Sequence, residues 1–345
     1  MLEIIFLSDG KISDTDIPSR ISKQISTEKN VNILFYTLSI PSIFKIYLKI
    51  IIYFCNNKKL IINTHHFKGA LFVFLFINLF KNNLFKNIKW FHTLHSEFYR
   101  YKGLKKFLVC FIYSKCNHLI GVNPQVSFKW SQSLRNKKVT TINNGISKKE
   151  FSTIINKNII SSSKIKILWV GRFEYIKNPS LIIKTAYNLD SSNPIEIIII
   201  GKGKLLVKIK KEIDIFNKIS TKKNIKIIFL SNIERSKVLE EFATSKIYVN
   251  TSYSEAFCTT ALEALVNPYA FLFLPNLLSM KALYNYKNVA FYEKNNDLDL
   301  ARQINKFISR PINLNPKPSY EKFPKEFTLE STAKKYINYY LDSFN

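Results

Sequence analysis

The stretch Ser254–Leu265 reads SEAFCTTALEAL and sets two carboxylates, Glu255 and Glu263, with seven residues between them. Upstream, WVGRFEYIKNPSL (Trp169–Leu181) places two cations, Arg172 and Lys177, just after Gly171. An arginine offers a planar fork to phosphate oxygens and a lysine a mobile point charge. A glycine at a strand end lets a ligand approach the backbone. Two such cations suit a diphosphate; the other reading is a pair of solvated charges. IIIIGKGK (Ile197–Lys204) brings Gly201 and Gly203 to the end of another apolar run, either a phosphate-side loop or an ordinary strand-to-helix turn. Cys258, Thr259 or Thr260 opens a helix, with a Thr or Ser capping it, and free N–H groups at such a start attract anions. Carboxylates are poor anion binders but good acceptors for hydroxyl groups. Glu263, expected in the first turn of that helix, and Glu255, in the loop just before it, would flank a phosphate and hold the hydroxyls of a ribose and a sugar attached to it. The alternative has Glu263 complementing a helix dipole and Glu255 as an exposed loop acid.

Short apolar runs position these residues. EIIFLS, VNILFYTL, KLIINTHH, IKWFHTLHS, HLIGV and VTTIN read as strands in the first half. PSIFKIYLKIIIYF, GALFVFLFINLF and KKFLVCFIYSKC read as the helices between them. The alternation restarts at IKILWVG and continues through PIEIIIIG, NIKIIFL and KIYVNTS, with helices between. Apolar strands alternating with helices predict mostly parallel sheets covered on both faces. The fold class is α/β, as two Rossmann-like doubly wound domains facing across a cleft, with ligands beyond the carboxyl ends of the strands. The polar, Ser-rich Asn156–Lys164 predicts the linker, giving domains 1–157 and 158–326. Pro311 to Pro318 leads to a last helix in 327–345.

The chain has 345 residues and a formal net charge of +28. That excess reads either as compositional drift toward Lys, Asn, Ile and Phe or as attraction to an anionic partner. No arginine-rich, aromatic-interleaved stripe marks a nucleic-acid binder, so an anionic membrane surface is the preferred partner and nucleic acid is not expected. Lys45, Lys49, Lys102, Lys105 and Lys106 are the candidate membrane contacts. Ala70–Phe80 is about half the length of a spanning helix and predicts a buried one. The four cysteines, Cys55, Cys110, Cys116 and Cys258, form no CxxC pair, which reads as reduced thiols in a cytoplasmic protein, peripheral on a membrane at most. The five histidines (65, 66, 92, 95, 118) show no metal spacing, and His65 and His66 would point to opposite faces of a strand. Asp14-Thr15-Asp16 precedes Pro18 in a polar loop, and Asp297-Leu298-Asp299 opens a helix. Both DxD strings read as loop or cap acids, and no metal or other cofactor is expected.

Taken together, INNGISKKEF, VGRFEYIKN and SEAFCTTALEAL, in this order and spacing, resemble the GT4 glycosyltransferases of GT-B fold. The resemblance runs from about Ile88 to the C-terminus and is strongest over Lys164–Leu265. It implies a retaining transferase that moves a sugar from a UDP- or GDP-linked donor to a saccharide or lipid-linked glycan acceptor, as in cell-surface polysaccharide synthesis. It implies that the last helix returns to the first domain. Arg172 and Lys177 would bind the donor diphosphate, Glu263 the ribose and Glu255 the transferred sugar. Gly171, Gly201, Gly203, Cys258, Thr259, Thr260 and Gly10 would line the nucleotide and phosphate side. His95 would stand near the donor sugar, with His92 competing for that role. Several family glycines are replaced: Ala256 and Cys258 follow the first Glu, Asn267 stands in VNPYAF, and only Asp9-Gly10-Lys11 remains of the first-domain Gly-Gly loop. These replacements motivate the alternative of a catalytically inactive scaffold or binding protein.

Overall fold

The computed structural model describes residues 2–8, 16–28, 31–56, 58–79, 87–156, 164–310, 320 and 323–345. Gly10, Asp14, the inner linker and the Pro311–Pro318 connector lie outside the described residues. The chain divides into two units, Met1–Gly145 with Glu326–Asn345, and Ile146–Lys325.

Among its described residues the first unit carries six parallel strands in the order β2-β1-β3-β4-β5-β6. They are β1 (Leu2–Ser8), β2 (Val31–Thr37), β3 (Leu60–Thr64), β4 (Ile88–Leu94), β5 (His118–Gly121) and β6 (Val139–Thr141). All seven residues of β1 are buried, which is why it reads as an unbroken apolar run rather than an alternating one. The order reverses between β1 and β3, which places the switch point of this sheet between these two strands. The polar loop expected around Pro18 is instead followed at once by a helix, α1 (Ile17–Ile25). Asp16 caps it, accepting from the Ser19 N–H at 3.3 Å, with Pro18 in the first turn, where a missing N–H costs nothing. The helix was hidden because Ser19, Arg20 and Ser22 are buried although polar. Arg20 donates to the Gly145 carbonyl at 3.2 Å.

Three further helices follow, α2 (Ile40–Cys55), α3 (Phe67–Leu79) and α4 (Gly103–Ser114). α5 (Pro124–Ser133) and the last helix of the chain, α12 (Leu329–Asp342), complete the unit. α12 packs Leu329, Ala333, Tyr336 and Tyr340 against Ile21 and Ile25 of α1 and the face of β1. Tyr340 OH accepts from Asn63 at 2.6 Å, and Thr332 donates to the Asn143 carbonyl at 2.7 Å. A Cβ on Gly145 would lie 2.3 Å from the Thr328 backbone, so the glycine of INNG is required where α12 begins.

The described residues of the second unit also form six parallel strands, ordered β12-β11-β10-β7-β8-β9. They are β7 (Ile165–Val170), β8 (Ile195–Ile200), β9 (Ile225–Leu230), β10 (Ile247–Val249), β11 (Phe271–Pro275) and β12 (Val289–Tyr292). The helices are α6 (Lys148–Ile155), α7 (Ser180–Tyr187), α8 (Leu206–Ile219), α9 (Arg235–Thr244), α10 (Thr259–Val266) and α11 (Asp297–Ile308). The switch point falls between β7 and β10. The Ser-rich linker suggested a first domain running to 157, but α6 lies in the second unit, tied there by Arg235, which donates to Glu150 at 2.9 Å. Of the second DxD string, Asp299 accepts from the Glu293 N–H at 2.7 Å and pairs with Arg302 at 2.5 Å.

Candidate functional site

Lys177 ends a short 3-10 turn after β7, and Asn178, at φ 47°, turns the chain into α7. Glu255 lies in the loop after β10, buried. Its Oε1 accepts from Lys177 Nζ at 2.5 Å, Ser252 Oγ at 2.6 Å and Asn250 Nδ2 at 3.3 Å. Thr251 Oγ1 lies 2.8 Å from the carbonyls of both Lys177 and Asn178, and accepts from Trp169 Nε1 at 2.8 Å. The Tyr253 N–H donates to Ile176 at 2.8 Å. These bonds join the two loops of the switch point into one structure and fix one oxygen of Glu255 toward Lys177. The expected exposed-acid alternative for Glu255 does not describe it. Asn250, Thr251 and Ser252 carried no signal of their own in the sequence. Their role depends on two loops that lie 78 positions apart where Lys177 meets Glu255.

Arg172 is not drawn into this cluster. Its side chain is 59% exposed and bonds Glu174, two residues on, at 2.8 Å. Gly171 and Gly201 have packing reasons of their own. A Cβ on Gly201 would lie 1.9 Å from the Gly171 carbonyl oxygen, and one on Gly171 would meet the Trp169 ring at 2.9 Å. Gly203 has φ +149° and its backbone passes against Phe173.

Glu263 was expected in the first turn of its helix; it is the fifth residue of α10 and is 2% exposed. Arg235, at the start of α9, bonds both of its oxygens. The same guanidinium reaches Glu150, which also closes a capping box with Ser147 at the start of α6. Burial works against the Arg235 charge, but Glu263 and then Glu150 outweigh it and hold the guanidinium above its ordinary range. Arg235 and Glu150 were missed. Ser147-x-x-Glu150 is a legible capping signature, whereas nothing local distinguishes Arg235.

The residue at the N-cap of α10 is Cys258, with no side-chain capping bond, so the expected Thr or Ser cap is not made. Its Sγ lies 3.2 Å from Asn250 Nδ2 and 3.4 Å from Thr260 Oγ1. Burial first, and Glu255 second, push the thiol up to about 11. Thr260 Oγ1 is 2.6 Å from Tyr248 OH, and Thr259 is the first residue of the helix, half-buried.

In the first unit His95 follows β4 and is half-buried. Its Nε2 lies 2.9 Å from Nδ1 of His65, which follows β3 at the switch point. The contact between His65 and His95 carried no signal in the sequence; parallel pairing of β3 with β4 brings the two together. His92 is a core residue, its Nδ1 2.8 Å from Thr64 Oγ1 and its ring packed on Tyr113. Burial lowers all three: His65 and His92 well below the usual value, and His95 to about 3, with neighbouring histidines adding to each. Among the described residues no group of three His, Cys, Asp or Glu side chains could hold a metal ion.

The family described as glycosyl transferases group 1 matches residues 150–325, close to the limits of the second unit. A tRNA-queuosine alpha-mannosyltransferase of Drosophila melanogaster is 26% identical over 182 residues, 52% of this chain and 45% of that protein. The match thus spans less than half of that relative. Among solved structures, sucrose-phosphate synthase from Thermosynechococcus elongatus superposes with a TM-score of 0.77 at 13% identity, over 100% of this chain and 99% of that one. Anabaena HepE in complex with UDP and glucose gives 0.76 at 12% identity, over 99% of each chain. The fold is shared with these proteins and is the GT-B fold.

Proposed function

The chain belongs to the glycosyl transferases group 1 family, and we propose that it is a retaining glycosyltransferase that moves a sugar from a UDP- or GDP-linked donor to a glycan acceptor. One observation carries this reading: the pairing of half-buried Lys177 with buried Glu255, braced by Asn250 and Ser252 where the strand order reverses. Ligands of doubly wound sheets bind at that point. There a cation and a carboxylate side by side offer one group to a diphosphate and one to a sugar hydroxyl. Lys177 and Arg172 stabilise the charge that grows on the departing diphosphate, and the N–H groups at the start of α10 add to this. The acceptor hydroxyl attacks on the face the nucleotide leaves, and its proton passes to the leaving phosphate. Glu255 orients the sugar, and Glu263, steadied by Arg235, accepts from the ribose. The position of His95 near the donor sugar rests on the family resemblance.

The acceptor in this reading is a lipid-linked glycan, met at an anionic membrane surface. Support comes from α4, where Leu104, Phe107, Leu108 and Phe111 recur at helical spacing yet are exposed, Leu104 at 83% and Phe107 at 70%. No helix among the described residues is long and apolar enough to cross a membrane, so contact would be peripheral. A second reading, an inactive scaffold, is favoured by Ala256 and Cys258 where the family carries glycine.

Thermal shift against UDP-, GDP-, ADP- and CMP-sugars, paired with release of free nucleotide from each, separates the two. The transferase shows a selective rise and slow donor hydrolysis, both lost in Arg172→Ala. Stabilisation without any hydrolysis or transfer would favour the scaffold, and no shift with any nucleotide would remove the donor site.

A further inference from the structure

The contact between His65 and His95 fixes more than a distance. Both rings are neutral near pH 7, so each carries one proton on one of two nitrogens. The 2.9 Å contact joins His65 Nδ1 to His95 Nε2, and only one of them can donate. The remaining nitrogen of His65, Nε2, is fully buried and has no hydrogen-bond partner. That orphan atom decides the direction. If His95 donated, neutral His65 would carry its proton on Nε2, a buried N–H with nothing to receive it. If His65 donates, Nε2 is a bare lone pair. An unused buried acceptor is tolerated more readily than an orphaned N–H donor. The stack of the His65 ring on Phe6, with centroids 5.0 Å apart, holds the imidazole in the plane this requires.

We propose that His65 is a positioning residue that donates its Nδ1–H to His95 Nε2 and so makes His95 present Nδ1–H as a hydrogen-bond donor. The consequence is chemical. A His95 locked in this tautomer can give a hydrogen bond to an oxygen of a bound sugar or phosphate, but its Nδ1, already protonated, cannot take a proton from a hydroxyl or ligate a cation. His95 then acts by binding and orienting an oxygen acceptor, not as a base. His65 supplies the direction of that bond in the way an outer partner fixes the tautomer of a ligating histidine. Only the kinetic arm of its test rests on the proposed transfer reaction; the tautomer itself is read without substrate.

The test is a long-range proton–nitrogen correlation spectrum of the full chain labelled at histidine, in which five residues must be assigned. The expected wild-type pattern has His65 and His95 both protonated at Nδ1 and bare at Nε2. His65→Phe keeps an aromatic ring against Phe6 but removes the donor. His95 should then shift toward the Nε2–H form, and kcat should fall about tenfold with little change in donor KM. His65→Asn restores a donor at the same place and should recover most of both. A wild-type His95 protonated at Nε2, or a tautomer unmoved by His65→Phe, overturns the proposal. Should His65→Phe not fold, the wild-type spectrum decides alone. The expected tautomers in a protein that turns over no donor would sink the transfer reading and leave this inference standing.

Discussion

Arg172 faces solvent and holds Glu174 at 2.8 Å within one loop. An exposed pair of this kind contributes at most about 1 kcal/mol, so a phosphate can take the arginine at small cost. Glu174→Gln removes the competitor and should tighten binding of the nucleotide sugar by up to about fivefold, read by titration calorimetry. Arg172→Ala should weaken it, and neither change should move the unfolding midpoint appreciably. Unchanged affinity in Glu174→Gln would mean that Arg172 does not leave its partner for the ligand. The histidines give a second residue-level outcome. His65, His92 and His95 all have folded values below the ordinary 6.5. The unfolded chain therefore binds more protons below that pH, and stability rises with pH. The contribution is fully present above pH 6.5 and is lost progressively as pH falls, through about 3 for His95. Urea midpoints measured from pH 7.5 downward should drop through this window. His95→Gln should flatten part of the slope, and an equal slope in that variant would contradict the assignment.

At the scale of elements, α9 and α10 are joined at their far ends by a residue the family resemblance would have as glycine. Asn267 is buried, and its Nδ2 lies 2.9, 3.1 and 3.0 Å from the carbonyls of Phe242, Ala243 and Ser245. Its Oδ1 accepts from the Tyr269 N–H at 3.0 Å. The asparagine thus satisfies carbonyls that the end of α9 leaves open. Asn267→Ala should destabilise the protein by about 2 kcal/mol, seen as a lower urea midpoint at constant m. Asn267→Gly should be no better, and a neutral outcome would show that water replaces the bonds. This site also shows where legibility ends. The strands could be read because parallel sheets bury both faces and leave runs such as IIII in β8. The charged loop residues could be read because glycines mark the strand ends before them. The partners could not. Arg235 meets Glu263 from another helix, Glu150 sits ahead of the linker, and His65 reaches His95 only through the register of β3 on β4. Each pairing is a product of strand order, which local sequence does not encode. α1 escaped for another reason: its buried polar side chains break the apolar pattern by which helices are recognised.

At the scale of the whole molecule, the charge is less uniform than its total suggests. From Lys29 to Lys149 the sequence holds twenty Lys and Arg residues and a single acid, Glu97. Within that span α2, α3 and α4 contain no acid at all. Ring contacts of Tyr47 with Phe76 and of Phe74 with Phe111 join the three helices side by side. Their outer surface exposes Phe44, Leu48 and Ile52 on α2, Leu75 on α3, and the α4 stripe. Lys45, Lys102, Lys105 and Lys106 border it, whereas Lys49 is engaged by Glu3 at 2.5 Å and drops out of the expected set. Lysines near an anionic leaflet contribute about 1 kcal/mol each, and an inserted Leu or Phe about 2 kcal/mol. Aliphatic side chains between the lysines favour lipid over nucleic acid, whose bases stack on aromatic rings and whose phosphates gain nothing from leucine. The chain should therefore cosediment with vesicles containing anionic phospholipid and not with purely zwitterionic ones, and added salt should weaken the binding. Leu104→Ser with Phe107→Ser should reduce it at least about tenfold while leaving the melting temperature unchanged, because both side chains already face solvent. Equal binding to zwitterionic vesicles, an unaffected double variant, or salt-sensitive binding to RNA in place of vesicles would remove the membrane from the account and leave the acid-poor span to be explained by another anion.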